Sequence, residues 1–133
     1  MDVKYRKFQK CDFYTLSAIS DDEWRENNIK IAMALLKAED DIEQCVVAEI
    51  EGELIGYIYG FVLPNGTLIP EFLFVQSKYR KRGIGTNLLH TLETISGCNT
   101  SMIFYNKSLS KYYENQGYSR GDNLEVAIKL FPK

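Results

Sequence analysis

The sequence has few cysteines and prolines, one histidine and no long apolar run. The three cysteines, Cys11, Cys45 and Cys98, are an odd number without a Cys-x-x-Cys pair, so they indicate neither a disulfide framework nor a zinc site. They fit a reducing compartment, and we expect a cytoplasmic protein. The apolar runs are much shorter than the ~20 residues of a membrane span. The first residues also lack the apolar core of a secretory signal, so we expect no membrane partner.

An excess of charge of one sign is also absent. The 16 Lys and Arg residues nearly balance 18 Asp and Glu residues, which gives a formal net charge of -2. Domains that bind duplex nucleic acid are usually strongly basic. The basic cluster at residues 78–82 has no second basic stripe beside it. A nucleic-acid-binding domain that uses this cluster is therefore an unfavoured alternative.

The size and composition are those of one globular domain. The chain has 133 residues, of which 45% are hydrophobic and 26% charged. A chain of this length can bury roughly two-thirds of its unfolded surface. No internal repeat or linker is visible, so we expect a single domain over residues 1–133.

The spacing of apolar residues predicts an α/β domain, with a mixed sheet and helices packed on it. Strands are predicted over residues 3–8, 44–50, 53–63, 68–75, 101–105 and 125–131. Helices are predicted over residues 24–37, from a glycine turn to Gly97, and over residues 108–115. Tight turns at residues 51–52 and 64–66 make the three middle strands antiparallel neighbours.

The glycine turn is the most informative stretch. Gly83 and Gly85 follow an apolar strand and open a helix. Backbone N–H groups left bare at a helix start can hold a pyrophosphate, with help from the helix dipole. Arg80, Lys81 and Arg82 add positive charge beside the turn. Glycines can also serve only to allow a tight turn, and neither the P-loop nor the dinucleotide fingerprint is matched.

Two motifs in this chain resemble those of the Gcn5-related N-acetyltransferase (GNAT) family. Arg80-x-x-Gly83-x-Gly85 after Leu73-Phe74-Val75 is similar to the family's acetyl-CoA signature. Asn106-x-x-Leu109-x-x-x-Tyr113-x-x-x-Gly117-Tyr118 is similar to its second signature. Three residues depart from the usual pattern: Ser77 stands for Pro, Lys81 for Gly and Leu109 for Ala. The resemblance implies the GNAT-like order β-α-α-β-β-β-α-β-α-β, with splayed central parallel strands, over nearly the whole chain.

The resemblance also implies the reaction and the cofactor site. The reaction is transfer of acetyl from acetyl-CoA to a primary amine by direct attack in a ternary complex, without a metal. Leu73, Phe74 and Val75 would pair with the pantetheine arm, and Asn106 would bond to it. The pyrophosphate would lie on the turn formed by Arg80, Lys81, Arg82, Gly83, Ile84, Gly85 and Thr86.

Two side chains are candidates for proton transfer. Tyr113 matches the family's general acid, a phenol that can protonate the departing thiolate; it could instead be a packed core ring. Spacing to Gly117 selects Tyr113 over its neighbour Tyr112. Glu71 is the candidate base, because strand alternation places it on one face with Leu73 and Val75. It could also attract a cationic amine, or be a solvated surface residue.

The acceptor amine is indicated only weakly. Acidic residues near Trp24 (Asp21, Asp22, Glu23 and Glu26) favour a small cationic amine, although such clusters also occur simply as first turns of helices. Tyr57 and Tyr59 could line the acceptor cleft or pack in the core, and His90 is expected on a helix flank. The resemblance allows a homodimer that involves the last strand. A non-catalytic acyl-CoA-binding module is the alternative function, since it would need neither Tyr113 nor Glu71.

Overall fold

The structure, a computed structural model, describes residues 2–9, 11, 12, 15 and 44–132. Its sheet has the order β1-β2-β3-β4-β5. The strands are β1 (Lys4–Lys7), β2 (Cys45–Ile50), β3 (Glu53–Val62), β4 (Thr67–Val75) and β5 (Thr100–Ser101). The helices are α1 (Ile84–Ser96) and α2 (Ser110–Asn115), with short 3₁₀ helices at Ser77–Tyr79 and Lys107–Leu109. Within these described residues, no helix is both long and apolar enough to cross a membrane.

The sheet is antiparallel from β1 to β4, and its last pair is parallel. β3 pairs with β4 along almost its full length, from Val62 opposite Leu68 to Gly56 opposite Val75. β5 pairs with β4 only where Thr100 and Ser101 lie opposite Thr67 and Leu68. One further bond joins the Met102 N–H to the Leu68 carbonyl at 2.9 Å. Beyond it the two parallel strands share no ladder, as expected for splayed strands.

The mixed α/β fold predicted from the sequence is confirmed. Strands β1 to β4 and helix α1 begin and end within one residue of the predicted positions. The predicted helix at residues 24–37 lies outside the described residues. Two strand predictions were wrong: one strand is shorter than predicted, and the other is not formed. The strand at 101–105 is cut to Thr100–Ser101 because the chain leaves β4 there, and residues 125–131 form no strand because no neighbour pairs with them in the described part.

A β-bulge in β4 changes which face its side chains occupy. Tyr59 pairs with Phe72 and Gly60 with Pro70, so Glu71 is the extra residue between them. A proline within an inner strand is expected at such a bulge, because it has no N–H to donate. The bulge reverses the alternation of side chains along the strand. Leu68 and Val75 therefore share the face packed by α1, while Phe74 packs on the other face.

The α1 side of the sheet holds the larger core cluster. Leu88, Leu89 and Leu92 are almost fully buried and pack over β2, β3 and β4. Burying each such side chain stabilises the fold by ~1.5–3 kcal/mol. Because this packing fixes the helix on the sheet, the first turn of α1 is held beside the end of β4.

The opposite face of the sheet carries a second buried cluster. Tyr57 and Tyr59 are 1% and 3% exposed and belong to it, together with Phe74. Burial, and then the nearby Cys45, raise the pKa of the Tyr57 phenol. Of the two interpretations left open by the sequence, core packing is the one that the structure shows for both tyrosines.

Gly56 allows β3 to lie close against the end of β4, and a Gly56→Ala variant tests this. A Cβ at this position would lie 2.8 Å from the Phe74 carbonyl oxygen. In a strand with free space around it, alanine would give a more stable protein than glycine. Here we expect the free energy of unfolding to fall by about 1–3 kcal/mol, because the backbone must shift. Urea denaturation measures the change.

The matched control is Glu53→Ala, an exposed position at the start of the same strand. It should change the free energy of unfolding by less than about 0.5 kcal/mol. A Gly56→Ala protein as stable as the unmodified protein would show that the two strands do not approach as described.

Candidate functional site

A cleft of about 350 Å³ lies between the end of β4 and the first turn of α1. This is at the lower end of the ~300–1,000 Å³ typical of ligand pockets. The cleft lies along the part of β4 that has no β5 partner. It is lined by Leu73, Phe74, Val75, Tyr79, Arg80, Lys81, Gly83, Ile84, Gly85, Thr86 and Tyr112.

The lining includes most of the predicted cofactor-binding residues. Only Arg82 and Asn106 of that set are not part of the wall. The Arg82 guanidinium lies 5.9 Å from the centre of the Tyr79 ring. Asn106 is exposed and its Oδ1 accepts a hydrogen bond from the Ser108 N–H at 3.0 Å. The Nδ2 group of Asn106 can donate to a ligand, and the second lone pair of Oδ1 can still accept from one.

The first turn of α1 presents backbone donors to the cleft. Gly83 is the N-cap with φ 79°, and no side chain caps the helix. The first N–H groups of a helix have no partner inside the helix, and the helix dipole makes this end positive. The structure thus places an uncapped helix start, flanked by Arg80 and Lys81, in the cleft wall. Such an arrangement suits an anionic group.

The turn before α1 contains a residue in an unusual backbone conformation. Lys81 has φ 63°, in the left-handed region that favours glycine. This explains physically why a glycine would suit that position. A residue other than glycine in this region carries local strain.

Gly85 leaves space in the cleft. A Cβ at this position would lie 3.7 Å from Leu73 Cδ2 and 4.0 Å from Val75 Cγ2, which are ordinary contact distances. Protein packing therefore does not require a glycine here. A side chain would instead extend into the space between α1 and β4. The donors, the positive charge and this open space together fit a phosphate-bearing ligand with an extended arm.

Arg80 is tied to the end of β4. Its Nε donates to the Val75 carbonyl at 2.8 Å, and its guanidinium lies 5.4 Å from the centre of the Phe74 ring. The positive charge is therefore held at the cleft wall by the protein itself. The sequence predicted the charge at this position but not its attachment to the strand.

Two adjacent tyrosines of α2 occupy different environments. Tyr113 is 9% exposed and packs against the rings of Tyr105 and Tyr112, with centroid distances of 4.8 and 5.0 Å. It is not among the residues that line the cleft. Tyr112 does line it, and its hydroxyl lies 2.8 Å from Thr86 Oγ1. Spacing along the sequence did not identify Tyr112 or Tyr79 as wall residues.

The Tyr113 phenol is suited to keep its proton at neutral pH. Burial, and then the neighbouring Tyr112, raise its pKa above the ordinary value of 10.0. A phenol in this state is a proton donor rather than a base.

The remaining candidates lie away from the cleft. Glu71 is exposed in the β4 bulge and is not part of the wall. His90 is exposed on α1, as expected. The acidic residues around Trp24 lie outside the described residues. In the part of the chain that is described, no group of three or more His, Cys, Asp or Glu side chains could hold a metal ion.

Comparisons with known proteins identify the family. The family model of the acetyltransferase (GNAT) domain matches residues 41–120. A protein of Methanocaldococcus jannaschii, named an uncharacterized N-acetyltransferase, is 39% identical. The alignment covers 65% of this chain and 65% of that relative, so the chain spans just under two-thirds of the relative's length.

Solved structures share the fold at low sequence identity. The aminoglycoside N-acetyltransferase AAC(6')-Iy, in complex with the bisubstrate analogue CoA-S-monomethyl-acetylneamine, is 16% identical with a TM-score of 0.67. That match covers 98% of this chain and 100% of the other. The PaiA N-acetyltransferase of Thermoplasma acidophilum, in complex with coenzyme A, is 22% identical with a TM-score of 0.64, over 86% of this chain and 89% of the other.

The matched family region is more than half of the chain and contains every residue of the cleft wall. The resemblance seen in the two sequence motifs is thereby confirmed. The chain belongs to the GNAT acetyltransferase family.

Proposed function

We propose that this protein is an acetyl-CoA-dependent N-acetyltransferase that acetylates a primary amine by direct attack in a ternary complex. The observation that carries the proposal is the continuity of the cleft, from the uncapped start of α1 to the unpaired stretch of β4. The first end suits phosphates and the second suits an amide-containing chain. Both belong to acetyl-CoA, and the complexes of the two structural neighbours support this choice.

The turn would hold the pyrophosphate through main-chain donors. The N–H groups of Ile84, Gly85 and Thr86 lie in the first turn of α1, where a helix leaves its donors unpaired. The side chains of Arg80 and Lys81 would add charge on the same wall. Arg82, the remaining cation of the turn, is proposed to attract the phosphates from outside the wall.

The strand would hold the pantetheine arm. Beyond Leu68, β4 has no ladder to β5, so the backbone groups on that side can bond to the amides of the arm at Leu73, Phe74 and Val75. Asn106 is kept as a further donor to this arm. Asn106 is the N-cap of the 3₁₀ helix Lys107–Leu109, and its side chain accepts a hydrogen bond from the Ser108 N–H. This bond fixes the side chain at the start of the helix.

Proton transfer is assigned to two groups. An aliphatic amine with a pKa near ~10 must lose a proton before it attacks, and Glu71 is proposed to accept it or to attract the cation. The leaving thiolate must be stabilised or protonated, and Tyr113 is proposed to supply this proton. The raised pKa of Tyr113 supports the role because the phenol stays protonated. Tyr112 is the second candidate, because its hydroxyl borders the cleft.

The acceptor is proposed to be a small cationic amine. The support is the acidic composition of residues 21–26 and the family match. A non-catalytic acyl-CoA-binding module remains the alternative, and turnover decides between the two. A cytoplasmic site of action is proposed because all three cysteines are free thiols, which fits a reducing compartment.

The first test of this function measures the turnover of acetyl-CoA and the effect of a Gly85 variant on acetyl-CoA binding. The protein should release CoA from acetyl-CoA with at least one member of an amine panel. Gly85→Val should weaken acetyl-CoA binding by about tenfold or more, since the side chain would fill the cleft. Isothermal titration calorimetry measures this binding, and thermal unfolding should change little because the neighbouring atoms are side-chain ends.

His90→Ala, an exposed change on the same helix, is the control for Gly85→Val. Stabilisation by acetyl-CoA without CoA release from any amine class would support the binding module instead. Undiminished acetyl-CoA binding by Gly85→Val would show that the cofactor lies elsewhere.

Tyr113→Phe and Tyr112→Phe form a matched pair that locates the acid. Removing the acid should lower kcat by about 100-fold or more with acetyl-CoA binding retained, and we expect this for Tyr113→Phe. An acid works while protonated, and burial raises the pKa of Tyr113 above its ordinary value, so its ionisation should not reduce kcat between about pH 6 and 9. Steady-state kinetics across pH measure both effects. If Tyr112→Phe shows the large loss instead, the acid is Tyr112.

Glu71→Gln separates a base from an attractor of cations. Loss of a base should lower kcat and make the rate rise about tenfold per pH unit between pH 7 and 9, as the free amine increases. Loss of an attractor should raise the amine KM and leave kcat unchanged. Glu53→Gln, another exposed carboxylate of the same sheet, is the control. Wild-type kinetics in Glu71→Gln would exclude both roles.

A further inference from the structure

Tyr118, which follows α2, holds Tyr113 by two separate contacts. Gly117 has φ 95° and turns the chain back at the end of the helix. The Tyr118 N–H then donates to the Tyr113 carbonyl at 3.0 Å. The two rings pack edge-on, with centroids 6.0 Å apart. Tyr118 therefore contacts both the backbone and the ring of Tyr113.

The Tyr118 hydroxyl connects these contacts to two other elements. It donates to Glu93 Oε2 in α1 at 2.6 Å, and it lies 2.8 Å from Ser101 Oγ in β5. A carboxylate can only accept hydrogen bonds, so the phenol proton is directed to Glu93 and Ser101 is the donor of the second bond. Burial, and then the bond to Glu93, raise the pKa of the Tyr118 phenol. The phenol therefore keeps its proton and this bond at neutral pH.

Helix α2 depends on contacts of this kind for its position. It contains only six residues, and helices this short are not stable alone in water. Glu93 and Ser101 belong to the two elements beside the cleft: α1 begins at the glycine turn, and β5 is the strand that departs from β4. The hydroxyl of Tyr118 thus links the placement of Tyr113 to the elements that frame the cleft.

We propose that Tyr118 is a positioning residue for acetyl transfer, and that its hydroxyl, bonded to Glu93 and Ser101, keeps the Tyr113 phenol in the place from which it protonates the leaving thiolate. This inference rests on the proposed function, in which Tyr113 is the acid. Tyr118 is not itself the acid, because its proton is bonded to Glu93 and it does not line the cleft. A shift of about 1 Å at a reacting group can lower a rate about 100-fold.

The hydroxyl can be removed with little disturbance to the fold. Glu93, Ser101 and Tyr118 are all part-buried and line a second cavity, of about 250 Å³. Water can therefore bond to Glu93 and Ser101 when the phenol is absent. The Tyr118→Phe variant keeps the ring contact and the N–H bond to Tyr113. It thus removes only the link from Tyr113 to α1 and β5.

Steady-state kinetics with an amine identified by CoA release test the proposal. Tyr118→Phe should lower kcat about tenfold or more, because the acid is displaced. The Kd of acetyl-CoA, measured by calorimetry, should change less than about twofold, since the cleft wall is intact. The matched control is Tyr5→Phe, which should keep the unmodified kcat. The Tyr5 hydroxyl also bonds to α1, through Asn87 Nδ2 at 3.2 Å, but it lies in β1 at the other edge of the sheet.

A double variant shows whether the effect acts through Tyr113. In a Tyr113→Phe protein, Tyr118→Phe should cause no further loss of kcat, because the positioned group is already absent. An equal loss with and without Tyr113 would mean that Tyr118 only supports the fold, and the proposal would be wrong.

Replacements of Glu93 test the acceptor of the phenol proton. Glu93→Gln keeps an oxygen that can accept this bond, and it should retain more of kcat than Glu93→Ala. Equal losses of kcat in these two variants would contradict the role of the bond.

Nuclear magnetic resonance of ring-labelled tyrosines tests the positioning without turnover. The Tyr113 signal, assigned by its loss in Tyr113→Phe, should shift in Tyr118→Phe and stay in place in Tyr5→Phe. If no amine is acetylated, the proposed function fails, and this shift still decides whether Tyr118 positions Tyr113. An unshifted Tyr113 signal in Tyr118→Phe would overturn the inference at any level of activity.

Discussion

The point where β5 stops pairing with β4 is the constraint on which the rest of the molecule depends. The parallel ladder ends at Leu68 and Ser101, and a strand without its neighbour exposes backbone donors and acceptors. β4 keeps its shape beyond that point because β3 pairs with it up to Val75. The absence of a side chain at Gly56 allows the two strands to approach closely there. The result is a strand that is fixed on one side and open on the other, which is what an extended ligand needs.

The electrostatics of the cleft follow from the packing of α1. The buried leucines of the helix set its position on the sheet, so its uncapped first turn faces the open side of β4. Arg80, bonded to Val75, brings a positive charge to the same place without a ligand. The chain as a whole has a net charge of -2. The local arrangement of the helix start and the Arg80 side chain, and not overall charge, is therefore what suits this wall to an anion.

The sequence predicted correctly the elements that are specified by local patterns of residues. Its predictions were wrong where the formation of a strand depends on a neighbouring strand. Helix α1 and strands β2 to β4 follow from periodic apolar residues and tight turns. The alternation in residues 125–131 is equally regular, yet a strand forms only when a neighbour supplies its hydrogen bonds. Glu71 was placed on the face of Val75 by alternation, which a bulge interrupts. Pro70 inside an apolar run was the one available sign of that bulge.

The motif spacing that selects Tyr113 says nothing about which of two adjacent side chains faces the cleft. In the structure the two tyrosines are connected: Tyr112 bonds to Thr86 and packs edge-on against Tyr113. A ligand group that bonds to Thr86 Oγ1 must share that oxygen with the Tyr112 hydroxyl. Any shift of Tyr112 changes the packing around the Tyr113 phenol, whose pKa depends on burial first and on Tyr112 second. A ligand on the glycine turn would thus be coupled, through Tyr112, to the environment of the Tyr113 phenol.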